Sequence, residues 1–285
     1  MNRSVRIHEF GDANVLRIEN VEVGEPANGQ VRLRIHAIGI NRTEITLRSG
    51  RSPAKPPLPT GIGFEAAGVI EALGPDVTGF SAGDRVALVP AYGAAQYALY
   101  GEVAIAPARS LVAIPNHVSL TEAAATWAAY GTAWGALVAV GALKAGQTVL
   151  IPAASSSVGL AAIQIANRLG ARPVALTRTS AKAEDLRRLG ASTVVATAEQ
   201  DVVAEVKTLT GGKGAELVVD PVGGPEFATL AKATAAGGTL VLYGALDIRP
   251  TIVPPFEIFA RDLTIRGLAL TALTRDDAKL AALKQ

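Results

Sequence analysis

Short segments in which hydrophobic and polar residues alternate fill the first part of the chain. Residues 30–40 (QVRLRIHAIGI), 66–74 (AAGVIEALG) and 83–90 (GDRVALVP) are examples, and Gly, Pro and Asp separate such segments. Alternation with a period of two is typical of β-strands that are buried on one face. We therefore predict that residues 1–122 form a β-rich domain.

The pattern changes near residue 120, where apolar segments begin to alternate with segments of helical periodicity. Residues 121–140 are rich in Ala and predict a helix with Thr121 as its N-cap. Six later segments predict strands, with helical segments between them: TVLIP, RPVALT, STVVAT, AELVVDPVG, TLVLYG and DLTIRGLAL. The first of these is an apolar run typical of a buried strand. This alternation predicts an α/β fold, with a doubly wound parallel sheet of the Rossmann kind over residues 123–285.

Composition agrees with two folded domains and excludes several classes of partner. Of the chain's 285 residues, 49% are hydrophobic and 18% are charged, which is typical of a globular protein. A chain of this length usually forms more than one hydrophobic core. The net charge of +2 arises without a long basic block, which argues against nucleic acid. Apolar runs stop short of membrane-spanning length, and the N-terminus has no apolar signal region. We therefore expect a cytoplasmic protein without a membrane partner.

The turn after the first strand of the predicted Rossmann sheet is where such folds bind a dinucleotide. Here it is AASSSVG (residues 153–159), with A-x-S-x-x-G in place of the fingerprint G-x-G-x-x-G. Gly159 keeps the position that lets helix and strand pack closely. The backbone N–H groups of Ser156, Ser157 and Val158 are expected to face a pyrophosphate at the positive end of the helix. The alternative is that these serines only cap the helix.

Several segments together carry a family resemblance. Besides the turn they are GINRTEITLRSG (39–50), GFEAAGV (63–69), AGDRV (82–86) and AAYGTAWGAL (128–137). Over nearly its whole length the chain resembles the zinc-independent quinone oxidoreductases of the medium-chain dehydrogenase/reductase superfamily. The resemblance implies a partly barrel-like, β-rich catalytic domain, a Rossmann cofactor domain, and hydride transfer from NADPH.

Zinc-dependent members of the superfamily hold their catalytic ion with a Cys in the first of these segments, a His-Glu pair in the second and a further Cys later. At the matching positions this chain has Asn41 and Phe64, the latter before Glu65, and it contains no Cys. Zinc sites need ligands of those types, so we predict no metal site. Glu65 is expected to orient the domain interface rather than to take part in chemistry.

The absence of a metal restricts the substrate. Without a Lewis acid the hydride acceptor must be easily reduced. Quinones and α,β-unsaturated carbonyl compounds delocalise the charge that hydride addition creates, so a dry pocket with a few hydrogen-bond donors suffices. The resemblance implies Asn41 and Arg48 as candidate catalytic donors. Thr46 stands where many relatives have Tyr, which leaves solvent as an alternative source of the proton.

The resemblance also implies cofactor contacts outside the turn. Thr132 belongs to a Gly-Thr pair that relatives use to hold the carboxamide side of the nicotinamide. Gly244 and Ala245, after the fifth Rossmann strand, are expected as backbone neighbours of the cofactor. Two alternatives to a quinone reductase remain open: an enoyl-thioester or alkenal reductase of the same superfamily, and a catalytically silent NADPH-binding protein.

The choice of cofactor rests on the end of the second Rossmann strand. Many NAD-binding sheets place Asp or Glu there, which binds the ribose hydroxyls and repels a 2′-phosphate. This chain has no acidic residue at that place; Thr177 and Arg178 stand there instead, and the resemblance implies that Lys182 binds the phosphate. The alternative is that Arg178 and Lys182 are solvated charges, but cations are disfavoured at a helix N-terminus unless an anion compensates them. We therefore predict NADPH as the preferred cofactor, with these three residues near its phosphate.

Assembly and chain length give two further expectations. The sixth predicted strand, residues 262–270, is apolar and lies at an edge of the sheet. Exposed edges are usually covered, so we predict a homodimer that pairs two such edges. Relatives continue past the segment that matches DDAKLAALKQ with a strand that returns to the first domain, and we expect this chain to lack that return.

Overall fold

The computed structural model describes residues 2–52 and 55–285, and contacts divide the chain into two compact units. The first unit is Met1–Gly131 together with Leu270–Gln285, and the second is Thr132–Ala269. The predicted boundary at residues 122 and 123 falls inside the first unit, because Ala123 and Ala124 pack against the β-rich core beside Ala67 and Ala87. The last sixteen or so residues likewise contact the first unit rather than the Rossmann sheet.

The first unit is β-rich, as predicted. Its described strands are β1 (Asn2–Ile7), β2 (Leu16–Val21), β3 (Gln30–Gly39), β4 (Thr60–Gly61), β5 (Glu65–Leu73), β6 (Arg85–Leu88), β7 (Val103–Pro107) and β8 (Leu111–Ala113). They form two antiparallel sheets, with the orders β2-β1-β4 and β7-β3-β5-β6-β8. Alternate residues of the larger sheet, such as Val31, Leu33 and Ile70, are buried in one apolar core. That alternation is the pattern that predicted the strands.

The second unit contains the predicted Rossmann sheet. Its strands are β9 (Thr148–Ile151), β10 (Arg172–Thr177), β11 (Thr193–Ala196), β12 (Ala215–Asp220), β13 (Thr234–Leu242) and β14 (Thr264–Gly267). All are parallel, in the order β11-β10-β9-β12-β13-β14. Successive strands are added on one side of β9, as far as β11, and then on its other side, from β12 to β14. This reversal of strand order beside β9 confirms the doubly wound topology. Phe227, Val218 and Leu240 are among the fully buried residues of its core.

Ten α-helices are found among the described residues. They are α1 (Arg42–Arg48), α2 (Leu120–Ala124), α3 (Trp127–Trp134), α4 (Ser157–Arg168), α5 (Ala183–Arg188), α6 (Val202–Leu209), α7 (Phe227–Ala233), α8 (Pro255–Ala260), α9 (Leu270–Leu273) and α10 (Asp277–Lys284). No described helix is both long enough and apolar enough to cross a membrane.

The prediction of one helix over residues 121–140 is wrong in two respects: the helical segment begins earlier, and it is divided into α2, α3 and a further turn. Ser119 is the N-cap of α2, since its hydroxyl accepts from the N–H of Glu122 and the carboxylate of Glu122 accepts from the N–H of Ser119. Ser119 and Glu122 thus form a capping box, which leaves Thr121 inside the first turn. After α3 the chain continues as a π-helical turn, Gly135–Val140.

Candidate functional site

A cavity of about 900 Å³ lies in the second unit, where four neighbouring strands end. Its lining comes from the segments that follow β9, β10, β11 and β12 and from the adjoining helices. Parallel strands of a doubly wound sheet bring their carboxyl ends to the same edge, beside the reversal of strand order. The cavity therefore occupies the place in this fold where nucleotides bind.

The turn from β9 into α4 forms one wall of this cavity. Ser156 is the N-cap of α4, and its hydroxyl accepts from the N–H of Gly159 at 3.1 Å. The next two N–H groups, of Ser157 and Val158, lie in the first turn of the helix and have no intrahelical acceptor. The turn therefore combines the two roles weighed from the sequence: a serine cap and two N–H groups at the positive end of a helix.

Gly159 is required by a close approach within this turn. A Cβ at that position would lie 2.5 Å from the carbonyl oxygen of Ala154 and 2.7 Å from its Cα. Ala153, just before, has a φ of 49°, in the left-handed region that non-glycine residues seldom adopt. The chain thus turns sharply out of β9 into α4 without the first two glycines of the fingerprint.

The predicted phosphate-binding residues lie on the same cavity. Thr177 is the last residue of β10, and Arg178 and Lys182 follow it; all three line the cavity. The Lys182 ammonium lies 3.4 Å from the hydroxyl of Ser155, across the mouth of the turn. In the described part of the chain no carboxylate lies within ion-pair distance of Arg178 or Lys182. Both cations are exposed and are free to meet an anionic ligand.

Seven of the predicted cofactor residues are not among those that line this cavity: Ser156, Ser157, Val158 and Gly159 of the adjoining turn, and Thr132, Gly244 and Ala245. Thr132 lies within α3, and Gly244 and Ala245 follow β13. Gly244 packs against the chain after β12, since a Cβ there would lie 2.6 Å from the carbonyl oxygen of Pro221. The roles of Thr132, Gly244 and Ala245 at the nicotinamide stay predictions.

Asp220 is a residue of the cavity that sequence reasoning missed. It ends β12, is fully buried and lines the cavity. Its two carboxylate oxygens accept from the N–H groups of Val222 (2.8 Å) and Gly223 (3.1 Å), and burial raises its pKa. The pattern that could have revealed it is a lone acidic residue at the end of a buried strand, followed by Pro and two glycines.

The predicted catalytic residues belong to the first unit, on and beside α1. Asn41 is the N-cap of α1, where its backbone N–H donates to Glu44 Oε2 at 3.0 Å and its Nδ2 donates to Glu65 Oε1 at 3.1 Å. Neither contact could be predicted from the sequence. Arg48 and Thr46 are engaged in local structure: Arg48 Nη1 donates to the carbonyl of Gly11, and the Thr46 hydroxyl donates to the carbonyl of Arg42.

Glu44 and Glu65 are buried acidic residues on either side of Asn41, each 3% exposed. Glu65 Oε2 accepts from the N–H of Ala128 at 2.7 Å, so β5 is joined to the start of α3 within the same unit. Burial raises the pKa of Glu65, and burial together with the charge of Glu65 raises the pKa of Glu44 to about 7.

The residues at the superfamily's zinc positions do not fit a zinc ion. Asn41 is hydrogen-bonded to Glu65, Phe64 is 7% exposed and belongs to the apolar core, and the sequence has no Cys. In the ranges 2–52 and 55–285, no three His, Asp or Glu side chains come together as metal ligands would.

Comparisons with known proteins agree with the two-unit fold. Residues 27–153 match the family model of the alcohol dehydrogenase GroES-like domain, and residues 157–284 match that of the zinc-binding dehydrogenases. A human quinone oxidoreductase is 31% identical over 277 residues, which are 96% of this chain and 82% of that protein.

Solved structures give the same result. A quinone oxidoreductase from Pseudomonas syringae matches with a TM-score of 0.90 and 32% identity, over 99% of this chain and 86% of that one. A quinone oxidoreductase from Escherichia coli, solved in complex with NADPH, matches with a TM-score of 0.89 and 28% identity, over 99% and 85%. The chain therefore belongs to the quinone oxidoreductase family of the medium-chain dehydrogenase/reductase superfamily.

Proposed function

We propose that this protein is an NADPH-dependent reductase of quinones that works without a metal ion. The observation that carries the proposal is the cavity at the strand ends of the second unit, where helix α4 begins and two unpaired cations lie. The relatives named above support it, because they are quinone oxidoreductases and the E. coli structure contains NADPH.

The residues of the cavity suit NADPH in two ways. At the turn that adjoins the cavity, the N–H groups of Ser157 and Val158 have no intrahelical acceptor and can donate to a pyrophosphate at the positive end of α4. Arg178 and Lys182 can donate charge-assisted hydrogen bonds to a 2′-phosphate, and no acidic residue at the end of β10 repels it. NAD would leave both cations without an anion.

The chemistry of reduction requires a hydride donor, a hydrogen-bond donor for the acceptor's oxygen, and a proton. Bound NADPH supplies the hydride from its nicotinamide ring. Asn41 is our candidate for the hydrogen bond to the substrate, since its amide nitrogen carries two N–H groups and the bond to Glu65 uses one of them. Arg48 is a weaker candidate, because its guanidinium already binds the carbonyl of Gly11. Thr46 donates to a backbone carbonyl, which favours a proton source other than this hydroxyl.

We also infer that two copies associate through β14. This strand lies at one of the two edges of the six-stranded sheet, and all four of its residues are exposed. Large apolar side chains are exposed on the segments before it: Ile248, Ile252, Phe256 and Phe259, between 52% and 77%. An unpaired apolar edge of this kind is normally covered by another chain.

Steady-state oxidation of NADPH tests the function against its alternatives. The purified protein is assayed with ortho-quinones, para-quinones, enals and enoyl thioesters, with and without a metal chelator. Turnover of quinones that the chelator does not reduce supports the proposal. Turnover of enoyl thioesters or enals alone would make it a reductase of that class, and tight NADPH binding without any turnover would favour a silent binding protein.

A further inference from the structure

Asn41 lies between two buried carboxyl groups, both in the first unit. Its backbone N–H donates to Glu44 and its side-chain amide donates to Glu65, at 3.0 and 3.1 Å. Both carboxyl groups are buried and bond to the same residue, and a charge on Glu65 disfavours a charge on Glu44, so one of the pair holds a proton near neutral pH. The hydrogen bonds indicate which one.

Both oxygens of Glu65 accept from N–H groups, one from Asn41 and one from Ala128. A carboxylate that only accepts is satisfied in the ionised form. Glu44 differs: Oε2 accepts from Asn41, while Oε1 is buried with no hydrogen-bond partner in the described part of the chain. Protonation of Oε1 of Glu44 breaks no hydrogen bond, whereas protonation of either oxygen of Glu65 would replace an acceptor that an N–H group uses.

The surroundings of Glu65 hold its carboxylate in place. A Cβ on Gly39 would overlap Glu65 Cγ and the carbonyl oxygen of Ala124, so the absence of a side chain at Gly39 leaves room for this carboxylate. Glu65 is thereby held by the neighbouring strand β3 and by the N–H of Ala128. Because an ionised carboxylate cannot donate, the Asn41 amide must turn its nitrogen toward Glu65.

We propose that Glu65 is a positioning residue that fixes the orientation of the Asn41 amide toward the substrate, and that Glu44 carries the proton that keeps this buried pair singly charged. The proposal rests on the proposed function, in which Asn41 binds the acceptor's oxygen. A flipped amide would present Oδ1 instead of an N–H and would repel that oxygen.

The pair should respond to pH within the working range. Burial raises the pKa of Glu44 to about 7, and the negative charge of Glu65 contributes in the same direction. The other titratable groups that act on this cluster are Tyr92 and Tyr100, whose pKa values burial raises above the usual range, and they stay neutral. The ring of Tyr97 packs edge-on against that of Tyr92. Above neutral pH a second charge on Glu44 would repel Glu65 and loosen Asn41.

A double-mutant cycle on kcat/KM tests the positioning role. We expect Glu65→Gln to lower kcat by on the order of tenfold to a hundredfold, with an unchanged Kd for NADPH, because its amide can no longer fix the nitrogen of Asn41. In an Asn41→Ala background the same change should have little further effect. Glu102→Gln, which alters an exposed carboxylate paired with Arg3 in the same unit, is the matched control. Independent, additive losses from Asn41→Ala and Glu65→Gln would overturn the proposal.

The pH profile tests the role of Glu44. The wild-type kcat should fall as the pH rises through about 7. Glu44→Gln, which resembles the neutral acid, should remove that fall. A variant whose profile keeps the wild-type alkaline limb would show that Glu44 does not hold the proton.

A spectroscopic measurement keeps the inference testable if the proposed function fails or a variant is unstable. The side-chain amide of Asn41 can be assigned by NMR from the signal that is lost in Asn41→Ala. In the folded wild type we expect this signal to titrate with Glu44 near pH 7 and to lose that titration in Glu44→Gln. A pH-independent amide signal would overturn the proposal even if no quinone is reduced.

Discussion

Reversal of the charge at Arg178 is the sharpest test of how this protein selects its cofactor. Arg178 follows β10 at the cavity, is exposed, and has no carboxylate partner among the described residues. Arg178→Asp replaces a cation with the acidic residue that many NAD-binding sheets have near this position. We expect NADPH affinity to fall and NADH affinity to be spared.

The magnitude follows from the contacts that the structure offers. A charge-assisted hydrogen bond contributes roughly 1.5–3 kcal/mol, and about 1.4 kcal/mol corresponds to a tenfold change in Kd. Lys182 remains in the variant and still faces the cavity. The loss of binding free energy for NADPH should therefore not exceed that of one such bond plus a modest repulsion between the new carboxylate and the 2′-phosphate. We therefore expect the Kd for NADPH to rise on the order of tenfold to a hundredfold. Because Arg178 is exposed, the effect should shrink as salt is added.

The assay is the measurement of Kd for NADPH and NADH by calorimetry, at low and at moderate ionic strength. Arg188→Asp is the matched control, because it makes the same change on an exposed cation of the same unit that does not line the cavity. Equal affinities for the two cofactors in the wild type would refute the reasoning. So would a preference for NADPH that survives in Arg178→Asp.

Three further predictions concern the turn, a buried acid and the sheet edge. Gly159→Ala should lower the free energy of unfolding by about 1–3 kcal/mol and weaken NADPH binding, because the added Cβ would overlap Ala154. Gly24→Ala is the control, since nothing lies within 4 Å of a Cβ there, and it should change neither quantity in the same thermal unfolding and binding assays. Since the pKa of Glu44 is raised from 4.5 to about 7, the stability this group contributes is present below pH 4.5 and is lost as the pH rises to about 7. The free energy of unfolding of Glu44→Gln relative to the wild type, measured by urea denaturation, should therefore increase across that window by up to about 3 kcal/mol. A difference that is the same at every pH would contradict this. Light scattering should give a dimer for the wild type and a smaller mass for Ile265→Lys on β14, whereas a wild-type mass of 29.2 kDa would contradict the dimer.

Much of the second unit could be predicted from local sequence. The inner parallel strands, such as β9 and β12, are short and largely buried apolar runs, and helices follow them, so the strand count and the doubly wound order followed from the periodicity. The turn at residues 153–159 and the residues after β10 were also accessible, because this topology always brings them to one edge of the sheet. Asp220 lies at the same edge and was missed only because its residue type suggested no ligand.

The end of the chain could not be assigned from its pattern. Residues 270–285 follow β14 and were predicted to belong to the Rossmann domain, but Arg109 Nη2 donates to the carbonyl of Thr274, and Lys284 donates to the carbonyl of Leu111. These contacts join segments more than 160 residues apart. Helical periodicity shows that such a segment has an apolar face, but not which unit covers it.

The sequence by itself determined the family, the Rossmann topology and the absence of thiolate ligands, since these depend on residue types and on spacings within a few tens of residues. Only the tertiary structure showed that Glu44 and Glu65 enclose Asn41, that Arg48 and Thr46 bind backbone carbonyls, and that Lys182 faces Ser155. The physical reason is that hydrogen-bond partners and pKa values depend on burial and on distances between segments remote in sequence, which propensity and periodicity do not encode.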